Sequence, residues 1–514
     1  MLTFIVRRII ASLFIVIGAS FIAFVLVANA GDPLARAAQS QDPTVRAQLT
    51  RSITESLNLD QNVVVRFFLW LKGVGGCFVG KCDFGKTIQG GDVTDNLGTY
   101  LLVSLRLVLA ATVLALVIGV AIGIITAIKQ YSGFDYAVTF MVFLFFSLPT
   151  FWLGIILKDL VAIKFNNFLN LPGGPTFSAT WFIIMSVFFG LLTFSILSGT
   201  LLRKLAISLA VALGVFLIAF YISETHWLLN PSLGLPVIIV LSALIACGVT
   251  TLTAGLKNRR ALLSALITAG IGCALWYPLQ IFFHDGMSFG KLMLLLLIAL
   301  VVGIVVGILV GGDDRSLNAR TGAFTALGVA IIIFVDRMMR AWSTYSSLLN
   351  GRPLRTQGQV TPNLQGDFWI TTTDVLVHLF LPTITLMVIS LATHSRYARA
   401  SMLEVLNQDY IRTARAKGLT ERTVIMRHAF RNALIPITTI IAFDVAGLVG
   451  GAVVTESVYQ YRAMGQMFQQ GLLQVDPNPV MAFFLVNAVL VVLMNLVADL
   501  AYAALDPRIR VTSS

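Results

Sequence analysis

Apolar residues along this chain gather into long runs separated by short polar junctions, the pattern of a polypeptide that crosses a bilayer repeatedly. A spanning helix needs about 20 mostly apolar residues. Twelve runs qualify, near 9–29, 101–128, 136–163, 179–202, 205–222, 235–256, 261–283, 290–311, 322–342, 374–395, 433–455 and 479–504. The first follows Arg7 and Arg8 and resembles a signal peptide, but it is long and shows no clear small-residue cleavage site beyond Ala28 and Ala30, so it reads as a retained helix. Within the third run, Pro149 predicts a kink.

Three stretches lie outside the runs. In residues 31–99, Asp42 and Pro43 read as an N-cap and first helical position, and Val45, Leu49, Ile53 and Leu57 recur at helical spacing, which predicts a small amphipathic cover. Residues 343–373 form a loop rich in Thr, Gly and Gln. The third stretch, 396–432, is basic.

Short loops that keep Lys and Arg mark the cytoplasmic side. With Arg7 and Arg8 inside, the junctions expected on that side hold Lys129, Arg203 and Lys204, then Lys257, Arg259 and Arg260, then Arg315 and Arg320. The alternate junctions hold His226 with Glu224, and His284 with Asp285. Residues 396–431 carry eight cations (Arg396, Arg399, Arg412, Arg415, Lys417, Arg422, Arg427, Arg431) against Glu404, Asp409 and Glu421. The bias puts both termini in the cytoplasm.

Composition agrees with the pattern and removes other classes. Only 12% of the 514 residues are charged, against about 25% in soluble domains. Mean hydropathy is +0.87. The net charge of +12 suits nucleic acid, anionic lipid or cytoplasmic loops, and the placement of the cations selects the last. Four cysteines make no disulfide framework; Cys247 and Cys273 lie in apolar runs as small hydrophobes. The five histidines are scattered without metal-ligand spacing, so no metal site is indicated.

Gly75 to Cys82, GGCFVGKC, nearly matches the phosphate-cradling loop G-x-x-x-x-G-K-[ST]. Cys82 stands where a Ser or Thr would hold Mg²⁺, no strand precedes it, and the charge bias puts it outside, so it reads as a Gly-rich outer turn. Cys77 and Cys82, on the oxidising side, are either free or joined in a small disulfide loop.

The basic stretch DYIRTARAKGLTERTVIMRHAFRNALIP, Asp409 to Pro436, carries the most information. Residues 401–417 can form a helix, Gly418 permits a sharp break, and Thr420 can cap a second helix containing Thr423, Val424 and Met426 to Ala429. Physically this is either a docking surface for a cytosolic partner or a basic loop held near anionic headgroups.

The segment resembles the cytoplasmic coupling loop of ABC importer permeases, in the version of the dipeptide, oligopeptide and nickel permease family. RRIIASLFIVIGASFIAFVL followed by Gly31-Asp32-Pro33, LPTFWLG at Leu148 to Gly154, Leu381-Pro382, GGAVVTESVY at Gly450 to Tyr459, and Leu505-Asp506-Pro507-Arg508-Ile509-Arg510 look like that family in its order. The general loop pattern has Glu, Ala, Ala where this chain has Arg412, Thr413 and Ala414, and its later proline falls farther on, at Pro436; both departures resemble the peptide branch. The resemblance covers 1 to about 175 and about 374 to 514. It implies an all-α core of six spans, the type I importer permease fold, with about six additional spans at 176–373 inserted between core helices 3 and 4.

On that reading residues 1–30 are the first span, 31–99 the outer segment, 100–175 core helices 2 and 3, and 374–514 core helices 4 to 6 with the coupling loop at 396–432. The implied function is half of the pathway of an ATP-driven importer of dipeptides or oligopeptides, in the cytoplasmic membrane of a prokaryote. Nickel chelates, glutathione or sugars are the alternative ligands, and a secondary transporter is the competing class, disfavoured because no half-to-half repeat is visible. The chain would be no enzyme and hold no cofactor; ATP and Mg would belong to two ATP-binding subunits or one fused ATPase. A second homologous permease subunit, an external substrate-binding protein and the lipid bilayer complete the implied partners, with no nucleic acid. The resemblance implies Tyr410, Thr413, Ala414, Ala416, Lys417, Gly418 and Leu419 as the ATPase contact, with Arg415 and Arg427 as charge partners.

Polar groups inside a bilayer are functional candidates because they are costly there. Asp444 in the eleventh run stands out, then Asn487 and Asn495, with Asp499, sharing one side of the twelfth. Buried Asn also joins helices, and Gly447, Gly450 and Gly451 allow close approach, so lining and packing both stay open for these positions.

Overall fold

The computed structural model describes residues 2–197, 199–284 and 286–505. The described residues are helical apart from loops and one isolated bridge, Lys86 to Asp92. All-helical architecture follows from the solvent: hydrocarbon offers no partner to backbone N–H and C=O groups, and a helix satisfies them internally. Ten of the described helices are long and apolar enough to cross a membrane. The run near 433–455 lies in the 29-residue helix Phe430–Val458.

The run 136–163 is not one straight helix. Gly133–Ser147 and Thr150–Leu169 meet at 103°. Pro149 explains the break, because its ring pushes Leu148 out of the helical region, to ψ 125°, and leaves Pro149 extended at ψ 137°. A π-helical turn over Lys158–Ile163 follows.

Backbone contacts divide the chain into two compact units. One comprises Met1–Val161, Thr356–Gln359 and Leu379–Ser514, and the other Ala162–Arg355 and Val360–His378.

In the first unit, the helix Leu2–Ala28 is followed by a small folded segment ahead of Val93–Ile128. Asp42 caps Pro43–Leu57, accepting from Thr44 N at 2.8 Å and Thr44 Oγ1 at 2.6 Å, and these bonds hold its carboxyl below the usual range. Of the four apolar positions predicted to face inward on this helix, Ile53 and Leu57 do so, packing with Ala37 and Ile88, whereas Val45 and Leu49 are exposed. The next helix, Val63–Gly75, buries Phe67 and Trp70 against Phe24, Phe84, Val93, Leu97 and Met481. Cys77 and Cys82 are joined as a disulfide. From there Val93–Ile128 re-enters the apolar zone.

The second unit holds the helices Ala179–Ile196, Leu201–Glu224, Gly234–Thr253, Arg259–Phe282, Phe289–Val310 and Arg315–Leu348. Lipid removes most of the hydrophobic drive between helices, so small residues and internal hydrogen bonds bring them together. Gly303 and Gly307 show this: a Cβ on either would lie 2.5 Å from Gly322 O or 2.3 Å from Asn318 O. Nearby, Thr253 Oγ1 meets Thr321 Oγ1 at 2.8 Å. Asp336, fully buried, accepts from Leu233 N, Trp276 Nε1 and Arg340 Nε at 2.9 to 3.0 Å. The loop after Arg315–Leu348 is fastened by Asp374, which accepts from Thr361 N at 2.7 Å and Tyr345 Oη at 3.0 Å.

Candidate functional site

The basic stretch begins where the helix Phe368–Leu406 ends. The continuous helix predicted over 401–417 is interrupted: Asn407 and Gln408 form a turn, Gln408 is extended at ψ 149°, and a separate helix runs Asp409–Ala416. The break lets the short helix turn its own apolar side inward. Ile411 and Ala414 are buried there with Ala127, Met402, Val424, Ala429 and Ala433. Ala414 therefore seats the helix, while Tyr410, Thr413, Arg415, Ala416, Lys417, Gly418 and Leu419 are exposed.

Gly418 closes the helix in a Schellman arrangement. Leu419 N donates to Ala414 O at 3.4 Å and Gly418 N to Arg415 O at 2.9 Å. The geometry needs a left-handed residue, and Gly418 supplies it at φ +75° with no Cβ cost. Arg415 closes the turn with a two-pronged bond to Glu421, Nη2 to Oε1 at 2.7 Å and Nε to Oε2 at 3.2 Å. The pairing lowers the Glu421 carboxyl and raises the Arg415 guanidinium from their ordinary values. Arg415 is thus engaged within the loop, and the Arg427 side chain lies outside the described residues. Thr420 caps the following turn, its side chain accepting from Thr423 N, as the sequence predicts. Asn432 Nδ2 donates to Tyr410 Oη at 2.8 Å and fastens the short helix to Phe430–Val458.

Asp444, on that long helix, faces His394 of Phe368–Leu406, Nε2 to Oδ2 being 3.1 Å, an ion-pair distance whose direction does not make a hydrogen bond. His394 is fully buried and Asp444 partly exposed. Asn487 is brought instead to Gly450, its Nδ2 lying 3.5 Å from where a Cβ on Gly450 would stand. Its Oδ1 is buried without a hydrogen-bond partner among the described residues. Asn495 is half-buried farther along the same helix, and Asp499 pairs with Arg8 at 2.5 Å, an end-of-span contact.

Several groups at this site escape sequence reasoning. His394 carries no local signal, since its partner is 50 positions away on another helix. Glu456 is 1% exposed and accepts from Ser104 Oγ and Gly465 N, each at 2.6 Å, so it serves as a remote cap for the helix Met464–Gln474. Arg399 Nη2 reaches the buried Asp135 at 2.9 Å. The two motifs LPTFWLG and GGAVVTESVY pack together: Tyr459 Oη donates to Gly154 O at 3.3 Å and Lys158 Nζ to Val458 O at 2.9 Å.

Comparison with known proteins bears on these motifs. Residues 232–511 match a family profile described as "Binding-protein-dependent transport system inner membrane component", and residues 1–88 match "Binding-prot-dependent transport system membrane comp, N-term". The chain belongs to this transport-component family. With ten helices among the described residues long and apolar enough to cross a membrane, it is a multi-pass protein of the inner membrane. Among family members it is similar to the oligopeptide transport system permease protein OppB of Mycobacterium tuberculosis, 46% identical over 155 residues, which are 30% of this chain and 48% of that protein. It is also similar to the oligopeptide transport system permease protein AppB of Bacillus subtilis, 46% identical over 136 residues, 26% of this chain and 43% of that protein. The dipeptide transport system permease protein DppB of Escherichia coli is 44% identical over 137 residues, 27% of this chain and 40% of that protein. The chain spans about half the length of the relatives it matches.

Proposed function

We propose that this chain is the transmembrane permease subunit of an ATP-driven importer of short peptides. It forms half of the translocation pathway, beside a second homologous permease subunit, and an external substrate-binding protein delivers the ligand. ATP and Mg are used by cytosolic ATPase subunits, which dock on the loop around Gly418. The observation that carries this reading is the loop itself. A short helix is pinned by its apolar side, ended by a Schellman turn, and presents Tyr410, Thr413, Ala416, Lys417 and Leu419 outward. A rigid exposed knob can pass a partner's movement into the helices Phe368–Leu406, against which it packs at Met402, and Phe430–Val458, to which it is fastened by Ala433 and Asn432. A basic loop lying only against headgroups has no need of such fixed geometry. The names of the similar proteins favour dipeptides or oligopeptides as cargo.

Asp444 with His394, and Asn487, are the polar groups we assign to the pathway side of this half, with Asn495 farther along the helix that carries Asn487. The six helices between residues 176 and 373 are read as an addition to the six-span core that surrounds the pathway and does not line it. The Cys77–Cys82 loop stiffens the outer turn locally.

The test is co-isolation and substrate-stimulated ATP hydrolysis by the assembled transporter, wild type against Gly418→Trp. A Cβ at Gly418 meets no atom within 4 Å, so the indole projects outward, although φ +75° strains the turn. Loss of coupled hydrolysis with the helices still folded supports the assignment. Coupling equal to wild type, or no ATPase co-isolating with the wild-type chain, overturns it.

A further inference from the structure

The outer segment encloses a polar cavity of about 430 Å³, lined by Ser52, Glu55, Asn58, Arg66, Trp70 and Asp83 among others. This volume lies within the range of about 300–1,000 Å³ usual for small-molecule sites. Arg66 is its unusual member. It is 8% exposed, its Nε donates to Leu57 O at 2.9 Å, and its guanidinium stands 5.8 Å from the Phe24 ring. That backbone bond places a cation at the C-terminal end of the helix Pro43–Leu57, a favourable position for a positive charge. It uses one of five N–H donors. The two terminal nitrogens, the fork that fits a carboxylate, have no hydrogen-bond partner among the described residues.

The carboxylates of the same cavity are turned to other groups. Glu55 Oε1 pairs with Arg51 at 2.8 Å, and Asp83 Oδ1 accepts from Gly85 N at 2.8 Å. Each keeps its second oxygen free of any hydrogen bond among the described residues. The walls are fixed: Trp70 Nε1 donates to Phe84 O at 3.3 Å, and Asn478 Nδ2 to Lys86 O at 2.7 Å. A buried cation is stabilised by a matching anion, and a cavity that keeps its fork empty while holding two half-used carboxylates matches a molecule bearing both charges.

We propose that this cavity binds a short zwitterionic peptide, its terminal carboxylate on the Arg66 fork and its ammonium group on Glu55 and Asp83. The assignment rests on the chemistry of the outer segment and not on the import reading, and it concerns a site outside the spans. It is tested on the full chain in lipid nanodiscs without partners, by calorimetric titration with dialanine, dialaninamide and N-acetyl-dialanine. Dialanine should bind, and the amide, lacking the carboxylate, should bind about tenfold or more weakly. Arg66→Gln should give the same loss, and if that variant fails to fold, Arg66→Lys, which keeps the cation without the fork, replaces it. Glu55→Gln, on an exposed helix face, should weaken dialanine but leave N-acetyl-dialanine unchanged. Equal binding of dialanine and its amide, or no binding by the wild type, overturns the proposal. So does a wild type that ignores dialanine while Arg66→Gln loses hold of the substrate-binding protein, since the fork would then anchor an acidic side chain of that partner.

Discussion

Asp476, 2% exposed, accepts from Ile88 N at 2.7 Å and Asn478 N at 3.3 Å, ahead of the helix Pro477–Leu505. Burial disfavours its charged form more than these two bonds favour it, and its carboxyl is pushed up to about 6 from 3.8. The sign of the consequence follows from proton counting. Between pH 4 and 6 the folded chain holds a proton that the unfolded chain has lost, so this group's contribution to stability falls as pH rises through that window and levels off above it. Asp476→Asn keeps an acceptor for one of the two amides and cannot ionise. Thermal melts of the purified chain at pH 4.5 and 7 should therefore differ less in the variant than in the wild type, and an unchanged difference would show that Asp476 does not titrate there. Glu421 has the opposite sign, because the Arg415 fork stabilises its charged form. That pair is exposed, and solvent screening leaves it little weight in stability. Its effect is to fix the shape of the turn at Gly418.

Helices in this chain approach closely where glycines are spaced four apart. Gly119 and Gly123 on Val93–Ile128 lie against His394, Ser395 and Ala398 of Phe368–Leu406; a Cβ on Gly123 would stand 2.5 Å from Ser395 O and 2.7 Å from Ala398 Cβ. Backbone cannot yield as a flexible side chain does, so Gly123→Leu must separate Val93–Ile128 from Phe368–Leu406, the helix that carries His394 and leads into the basic loop. A cost of about 1–3 kcal/mol or more is expected. It should appear as a lower melting temperature, while Gly98→Leu on the same helix, where no atom lies within 4 Å, stays near wild type. If both variants melt alike, close packing at Gly123 is not what joins these helices. The apolar runs foretell nearly all of these helices, because a bilayer allows little besides a helix and a helix of fixed rise needs a fixed length. The cap at Asp42, the break at Pro149 and the turn at Gly418 are legible for a similar reason: each rests on the conformational limits of one residue. What stays hidden depends on distant partners. Helical spacing gives no hint that Val45 and Leu49 face water while Ile53 and Leu57 meet Ala37 and Ile88. The interruption at Asn407 is equally silent, since Ile411 and Ala414 turn inward only because Ala127 and Ala433 wait there.

Six helices fill residues 179–348, and their number constrains the whole chain. An even number of crossings returns the polypeptide to the side it left, whereas an odd number would carry the cations of 396–431 across the membrane, against the preference of Lys and Arg for the cytoplasmic face. If these helices are an addition to a six-span core, replacing residues 176–373 with a short polar linker should leave the topology unchanged. An impermeant maleimide on Arg412→Cys decides it, Arg412 being 71% exposed and in the basic loop. The shortened chain should be labelled in inverted vesicles and not in intact cells, as should the full-length one. Removing one helix alone, such as Phe289–Val310, poses a conflict. The chain must then invert the basic loop or leave a span uninserted, and either outcome lowers the yield of folded protein. The same shortened chain separates topology from transport. Retained ATPase co-isolation with retained uptake places the pathway in the remaining helices. Correct labelling with lost uptake would mean that the six helices line the pathway, and the assignment of that role to Asp444 and Asn487 would then fail.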